Sequence, residues 1–217
     1  MAFVPTPEFR VLLKTLKWVP SAGTPFSEGR AAYARVGDVF GGESVAMAAV
    51  DDVTAPGAEI AIPVRIYRPH AVVATPPPAV VYSHGGGWVM GSRDSHDKVC
   101  RNIAAALGCI VLSVEYRLAP EHPLPAGPSD VITVLTWAHA NAAALGIDPA
   151  RIAVAGDIAG GGLSAVAAIA ARDAALPLSA QVLIYPSVDN RGGDAYPQLY
   201  PSRTENRNIA PLTLESY

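Results

Sequence analysis

The 217-residue sequence predicts an α/β protein with a mostly parallel central sheet and helices on both faces. From residue 79 onward, short apolar runs typical of buried strands alternate with helical stretches, several of them rich in alanine. Two glycine-rich loops each follow one of these strands directly. Apolar residues make up 50% of the chain and charged residues 16%, which excludes a disordered chain because enough apolar surface can be buried.

The region before this alternation contains a predicted helix and two predicted strands. Apolar residues at helical spacing from Phe9 to Leu16 predict a short amphipathic helix. Strands are predicted over residues 45–53 and 60–67, the second because apolar and polar residues alternate in it. Pro56-Gly57 is typical of the turn between them.

The later elements occur in the order expected of strand–helix–strand units. The predicted strands cover residues 79–82, 109–114, 152–155 and 181–185, and the predicted helices cover residues 97–107, 128–145 and 163–175. Pro128 falls in the first turn of its helix, and Gly146 comes directly after the end of that helix, as is common for these residue types.

Composition excludes several functional classes. A net charge of −3 provides no basic surface for nucleic acid or an anionic membrane. Two cysteines, Cys100 and Cys109, are too few for a disulfide framework, so a reducing cytoplasmic setting is predicted. No apolar run is long enough to span a bilayer, and Pro5, Pro7 and Glu8 interrupt what would be the apolar core of a signal peptide.

The first glycine loop, His84-Gly85-Gly86-Gly87-Trp88, comes after the predicted strand at 79–82. Consecutive glycines let backbone N–H groups turn outward together, and a developing oxyanion requires such donors. An HGGG run after a buried strand is an oxyanion-hole motif of lipases and esterases. A plain tight turn is the alternative.

The second loop, residues 156–162, lies between a predicted strand and a predicted helix. That context is typical of a nucleophile elbow, which has the pattern G-x-S-x-G. Gly156 and Gly160 fit the pattern, but the middle residue is Ile158, which has no nucleophilic atom. An elbow nucleophile has a strained backbone, so Ile158 is expected either to relax out of the elbow shape or to cost stability.

Three motifs together resemble the hormone-sensitive-lipase-like family of α/β-hydrolases, the group that contains bacterial carboxylesterases. They are the HGGGW run of residues 84–88, the EYRLAPEHP run of residues 115–123 and the GDIAGG run of residues 156–161, where the family has GDSAGG. The order and separation of the motifs agree with the family, as does the LIYP run at residues 183–186. The resemblance covers the chain from about residue 40 to its end.

The resemblance implies an α/β-hydrolase fold and ester hydrolysis by a serine nucleophile, an acid and a histidine, without metal or cofactor. It places Ile158 at the position of the nucleophilic serine. It gives His84 and Asp157 supporting roles in the two loops, and His84 is expected to shape its loop rather than titrate. The implied oxyanion hole consists of backbone N–H groups from Gly85, Gly86, Gly87 and Ala159, with Gly85 the weakest candidate.

The chain departs from the family in the residues after the elbow. All five histidines precede Ile158, which leaves the base unassigned. Asp173, Asp189 and Asp194 do not match the position of the family's acid, so the acid is unassigned as well and the chain is predicted to be inactive. It resembles roughly the N-terminal two-thirds of a member. The predicted organisation is an N-terminal cap segment at 1–40, a partial core at 41–190 and the start of a second cap segment at 191–217. The strand at 181–185 is then an exposed edge, which predicts poor solubility or a homo-oligomer.

Other functional hypotheses remain open. The esterase pocket could serve as a non-catalytic site for a ligand or a partner rather than for a small acyl ester. Dinucleotide binding is a weaker hypothesis, because the glycines at 160 and 162 fit the phosphate-binding fingerprint only loosely.

Hypotheses in which other residues act as the nucleophile or bind a metal are weaker still. Ser83 and Ser164 are possible substitute nucleophiles, although packing explains both. His84, His96 and Asp97 lack the paired spacing of metal ligands, and a solvent-facing position is the simpler interpretation of His96 and Asp97.

Overall fold

A computed structural model describes residue 7 and residues 26–188. The helix predicted between Phe9 and Leu16, most of the predicted N-terminal cap segment and all of the predicted segment 191–217 lie outside these residues.

The described chain alternates strands and helices as predicted. In chain order its elements are α1 (Phe26–Phe40), β1 (Ala49–Pro56), β2 (Ala61–Arg68), β3 (Ala79–Ser83), α2 (Asp97–Leu107), β4 (Ile110–Val114), α3 (Ala126–Ala140), α4 (Ala142–Leu145), a 3-10 turn (Pro149–Arg151), β5 (Ile152–Asp157), α5 (Ile158–Asp173) and β6 (Ala180–Ile184).

The six strands form one sheet in the order β1-β2-β4-β3-β5-β6. β1 pairs antiparallel with β2, and β2 pairs antiparallel with β4. β4, β3, β5 and β6 are mutually parallel. The sheet is therefore mostly parallel, as predicted. Ser83 at the end of β3 pairs with Gly156 near the end of β5, so both glycine loops leave the sheet at the same edge.

The sheet is covered on both faces, because alternate residues of its buried strands enter two separate cores. Val81 and Ala79 of β3 pack in the larger core, to which α3 and α5 contribute apolar side chains. Val80 and Tyr82 of the same strand pack in the smaller core with Cys100 of α2. Helices on both sides explain why these strands appear in the sequence as continuous apolar runs.

Two predicted helix boundaries are wrong for physical reasons. The helix predicted from residue 163 begins at Ile158, because close packing against β3 favours a helical first turn despite its three glycines. The helix predicted over 128–145 is two helices, α3 and α4. Asn141 separates them with φ −110° and ψ 18°, outside the helical region.

β6 lies at an edge of the described sheet. Val182 is 51% exposed, and Tyr185 just after the strand is 70% exposed. Within residues 26–188, exposed apolar side chains therefore occur along a strand that has only one neighbouring strand. Among residues 26–188, no helix has the length and apolar character that crossing a membrane requires.

Candidate active site

The first glycine loop turns sharply directly after β3. Gly86 and Gly87 have φ values of 131° and 60°, and Trp88 has a φ of 63°. Positive φ is readily adopted by glycine, which explains two of the three positions. The carbonyl of Gly86 accepts the N–H groups of Val89 (3.3 Å) and Met90 (2.9 Å), which closes the turn. No hydrogen bond in the described part of the chain uses the N–H of Gly86 or Gly87.

The second turn joins β5 directly to α5 at residue 158. Asp157 is extended (φ −112°, ψ 147°), whereas Ile158 has a φ of 49°. A β-branched residue at positive φ is a genuine outlier. Of the two expected alternatives, relaxation out of the elbow shape is excluded, and the strained elbow is the one observed. Ile158 is 40% exposed at the tip of the turn.

The two turns touch each other through glycine backbone. A Cβ added at Gly160 would lie 2.5 Å from the carbonyl oxygen of His84 and still closer to that of Ser83. A Cβ at Gly156 would lie 2.5 Å from both the Ser83 and the Gly160 carbonyl oxygens. Only glycine permits this approach, which places the first turn of α5 beside the HGGGW loop. The N–H groups of a helix's first turn have no partner within the helix, and that of Ala159 is one of them.

The Asp157 carboxylate connects the two turns through hydrogen bonds. Its Oδ1 accepts the Tyr82 hydroxyl at 2.8 Å and the Gly85 N–H at 3.0 Å. Nε2 of His96 donates to the same carboxylate from 3.3 Å (Oδ1) and 3.4 Å (Oδ2). The donors come from β3, from the first loop and from the residue before α2, so one side chain fixes three parts of the site.

These hydrogen bonds determine the ionisation of the cluster. Burial alone would raise the pKa of Asp157, but the donors from His96, Tyr82 and Gly85 outweigh it and lower that pKa. Burial, together with the adjacent Asp157 charge, raises the pKa of Tyr82. Asp157 therefore carries a buried negative charge that three donors stabilise.

His84 is fully buried and supports the first loop. Its Nδ1 donates to the Gly85 carbonyl at 2.9 Å. Its ring stacks on Tyr116 with centroids 4.3 Å apart, and the Tyr116 hydroxyl donates to the His84 carbonyl at 2.7 Å. Burial lowers the pKa of His84 to about 3. These contacts hold His84 within its loop, and its lowered pKa leaves the imidazole neutral near pH 7.

Two sequence-based placements are wrong. Gly85 is among the predicted oxyanion donors, but its N–H donates to Asp157 and is not available to a ligand. His96 is predicted to face solvent, yet it is 7% exposed because it lies under α1 and against Asp157. Asp97 accepts the Tyr67 hydroxyl at 2.9 Å. The contacts of His96 and Asp97 arise from tertiary structure, and no local sequence pattern indicates them.

Ser83 and Ser164, the two candidate substitute nucleophiles, both lie within the packed interior. Ser164 is buried, and its hydroxyl donates to the Ala155 carbonyl at 2.8 Å. Ser83 is buried at the end of β3. No cluster of three or more candidate metal-ligating side chains occurs within residues 26–188.

Two adjacent glycine turns at the carboxyl edge of a parallel sheet, one of them a strained elbow, are typical of α/β-hydrolases. Residues 80–216 match a family described as the alpha/beta hydrolase fold. The chain belongs to this family, in its hormone-sensitive-lipase-like carboxylesterase branch.

Known esterases are similar to this chain in sequence and in structure. It is 57% identical over 127 residues to a carboxylesterase, NlhH, of Mycobacterium tuberculosis, an alignment that covers 58% of this chain and 40% of that protein. It is 42% identical over 127 residues to an arylesterase of Saccharolobus solfataricus, covering 58% of this chain and 41% of that one.

A solved esterase structure is also similar to this chain in fold. A hyperthermophilic esterase from the archaeon Pyrobaculum calidifontis superposes with a TM-score of 0.85 at 36% identity, covering 97% of this chain and 69% of that one. The chain spans about 40% of the length of the curated relatives it matches. These relatives support an esterase scaffold, and they do not favour dinucleotide binding or a non-catalytic binding module derived from an esterase.

The glycine contact between the turns gives a first prediction. Gly160→Ala should lower the free energy of unfolding by about 2 kcal/mol or more, because its Cβ meets backbone atoms that cannot move independently. Gly127→Ala is the matched control in the first turn of α3, where the nearest atoms lie at 3.2 and 3.4 Å. It should stay within about 1 kcal/mol of the unsubstituted chain. Equal urea-unfolding free energies for the two variants would contradict the contact.

The strain at residue 158 gives a second prediction. Ile158→Gly should raise the free energy of unfolding by about 1 kcal/mol, because glycine adopts positive φ without cost. The control is Ile169→Gly on the same helix, a residue that is 51% exposed and has no positive φ. That change should destabilise the chain by about 1 kcal/mol. Thermal or urea unfolding that shows the same loss for both variants would argue against strain at Ile158.

Proposed function

We propose that this site is the acyl-transfer site of a carboxylic ester hydrolase, with a small acyl ester as its substrate. The supporting observation is the contact between the two glycine turns at the ends of β3 and β5. In this proposal the N–H groups of Gly86, Gly87 and Ala159 form the oxyanion hole. Backbone donors placed where negative charge develops supply a large part of the catalysis in acyl transfer.

Residue 158 determines which reaction the proposed site can perform. In a working elbow, the nucleophile at this position attacks the ester carbonyl carbon, and the carbonyl electron pair moves onto the oxygen held by the hole. Ile158 carries only carbon and hydrogen in its side chain, so this bond cannot form. The chain thus keeps the electrostatic part of the site and lacks its nucleophile, and we propose that it does not turn over esters by a triad.

The nearby histidines do not supply a base in its place. His84 has a pKa lowered to about 3 by burial, which leaves it too weakly basic at neutral pH. His96 directs its Nε2 to Asp157. Introducing a hydroxyl at residue 158 therefore restores the nucleophile but no base.

An ester assay tests the predicted inactivity. With p-nitrophenyl butyrate, both the chain and its Ile158→Ser variant should stay far below an ordinary esterase of the family measured alongside. Loss of a triad member leaves only about 10³–10⁴-fold acceleration over water, from binding and the oxyanion hole. Turnover by the unsubstituted chain within about tenfold of that esterase would overturn the prediction.

The same assay tests the oxyanion hole when an external base is added. With imidazole present, Ile158→Ser should acquire a butyryl group at position 158 faster than its other serines do, and intact-mass and peptide mass spectrometry would locate the group. Ile158→Ala is the matched control and should show no adduct at that position. If position 158 reacts no faster than an exposed serine, the proposed acyl-transfer site is wrong.

We also propose that β6 mediates self-association of the chain, supported by its place at the edge of the described sheet and by the exposure of Val182. Light scattering after size exclusion should detect species larger than the monomer. Val182→Lys should shift the chain towards monomer, because a charged edge strand resists pairing. Val166→Lys, on the exposed face of α5, is the matched control and should not. A monodisperse monomer without substitution would contradict this proposal.

We also propose that the chain is located in the cytoplasm. It is supported by two cysteines, Cys100 and Cys109, that are both free and buried. Fractionation of the source cells would check it.

A further inference from the structure

Arg30 of α1 lies against the outer side of the HGGGW loop. Its Nε donates to the Val89 carbonyl at 2.8 Å, and its Nη2 donates to the Ala119 carbonyl at 3.1 Å. Val89 and Ala119 are both buried. A single guanidinium therefore holds two backbone carbonyls that are thirty positions apart in sequence.

Glu121 orients this guanidinium. Its two carboxylate oxygens accept Nη1 at 3.0 Å and Nη2 at 2.7 Å, and the Arg30 hydrogen bonds lower the Glu121 pKa. The Glu121 side chain is 52% exposed, so this ion pair by itself adds little stability. A two-pronged pair does restrict the plane of the guanidinium, which aims the remaining N–H groups at the carbonyls.

Both carbonyls belong to residues that also hold the glycine loop. The N–H of Val89 donates to the Gly86 carbonyl, and the N–H of Ala119 donates to the Trp88 carbonyl at 3.0 Å. Residues 86, 87 and 88 all have positive φ, so this segment depends on outside contacts to keep its shape. Asp157 supplies such a contact at Gly85, and Arg30 supplies the contacts on the other side.

We propose that Arg30 is a positioning residue for the first glycine loop and couples helix α1 to the orientation of the Gly86 and Gly87 N–H groups. The catalytic meaning of this coupling rests on the proposed function. The coupling itself concerns only the backbone of the loop. Displacing α1 would release Val89 and Ala119 together, and the loop would lose its outer support.

Backbone amide exchange measured by NMR on the full chain tests the coupling. In Arg30→Met, exchange of the Met90 and Ala119 amides should accelerate about tenfold, which is the effect of losing charge-assisted hydrogen bonds. The Gly86 and Gly87 resonances should shift as well. Exchange of Val154 in the buried strand β5 should not change, because a local opening leaves the sheet intact.

Three matched variants separate positioning from general stabilisation. Arg30→Lys keeps the charge but cannot reach both carbonyls in the same plane, so it should resemble Arg30→Met; it also serves if the methionine variant fails to fold. Glu121→Gln leaves the carbonyl bonds of Arg30 in place and should have a smaller effect. Arg172→Met removes an arginine whose side chain is 72% exposed and should have none.

Specific outcomes overturn the proposal. Unchanged exchange at Met90 and Ala119 in both Arg30 variants would do so. Equal acceleration at Val154 would show that Arg30 only stabilises the whole fold. An effect of Glu121→Gln as large as that of Arg30→Met would assign the role to the ion pair. No ester is present in these measurements, so their outcome is independent of the proposed hydrolase activity.

Discussion

The site depends on one steric constraint, the direct contact of the first turn of α5 with the end of β3. A helix that comes after a strand ordinarily stands away from the neighbouring strand by the length of a side chain. Gly156 and Gly160 remove that spacing, because any Cβ at these positions would overlap the Ser83 carbonyl. The backbone N–H groups of the first turn consequently lie beside the HGGGW loop. Since this arrangement arises from glycine backbone, it does not require a nucleophile at residue 158.

Hydrogen bonds add a second constraint to this steric contact. The contact sets the distance between the turns, and the Asp157 carboxylate fixes their orientation by accepting donors from Tyr82, Gly85 and His96. A buried carboxylate is costly unless its donors compensate, and the lowered pKa of Asp157 shows that they do. Arg30 contacts the opposite side of the same loop. The first glycine loop is thus held between the Asp157 carboxylate within the core and the Arg30 guanidinium from α1.

Local sequence patterns correctly predicted those strands and helices that local interactions determine. The apolar runs of β3, β4 and β5 located the buried strands, and the bounds of α2 agree with the predicted helix. The start of α5 was missed because glycine disfavours helix in isolation, whereas packing here overrides that preference. The burial of His96 and the role of the Gly85 N–H were missed for a related reason. Contacts such as Arg30 with Val89 join residues 59 positions apart, and sequence periodicity carries no information about them.

Residue 158 shows that conformation and chemistry are separable at an elbow. Isoleucine is among the residue types least suited to positive φ, yet Ile158 keeps a φ of 49°. Such strain persists only where the surroundings determine the backbone from both sides. Here Asp157 is fixed by its donors before the turn, and Gly160 is fixed against β3 after it. The chain therefore has to pass through a left-handed residue to connect β5 with α5, whichever side chain occupies that position. The turn is a requirement of the fold first, and catalysis uses it only when the residue at its tip carries a nucleophile.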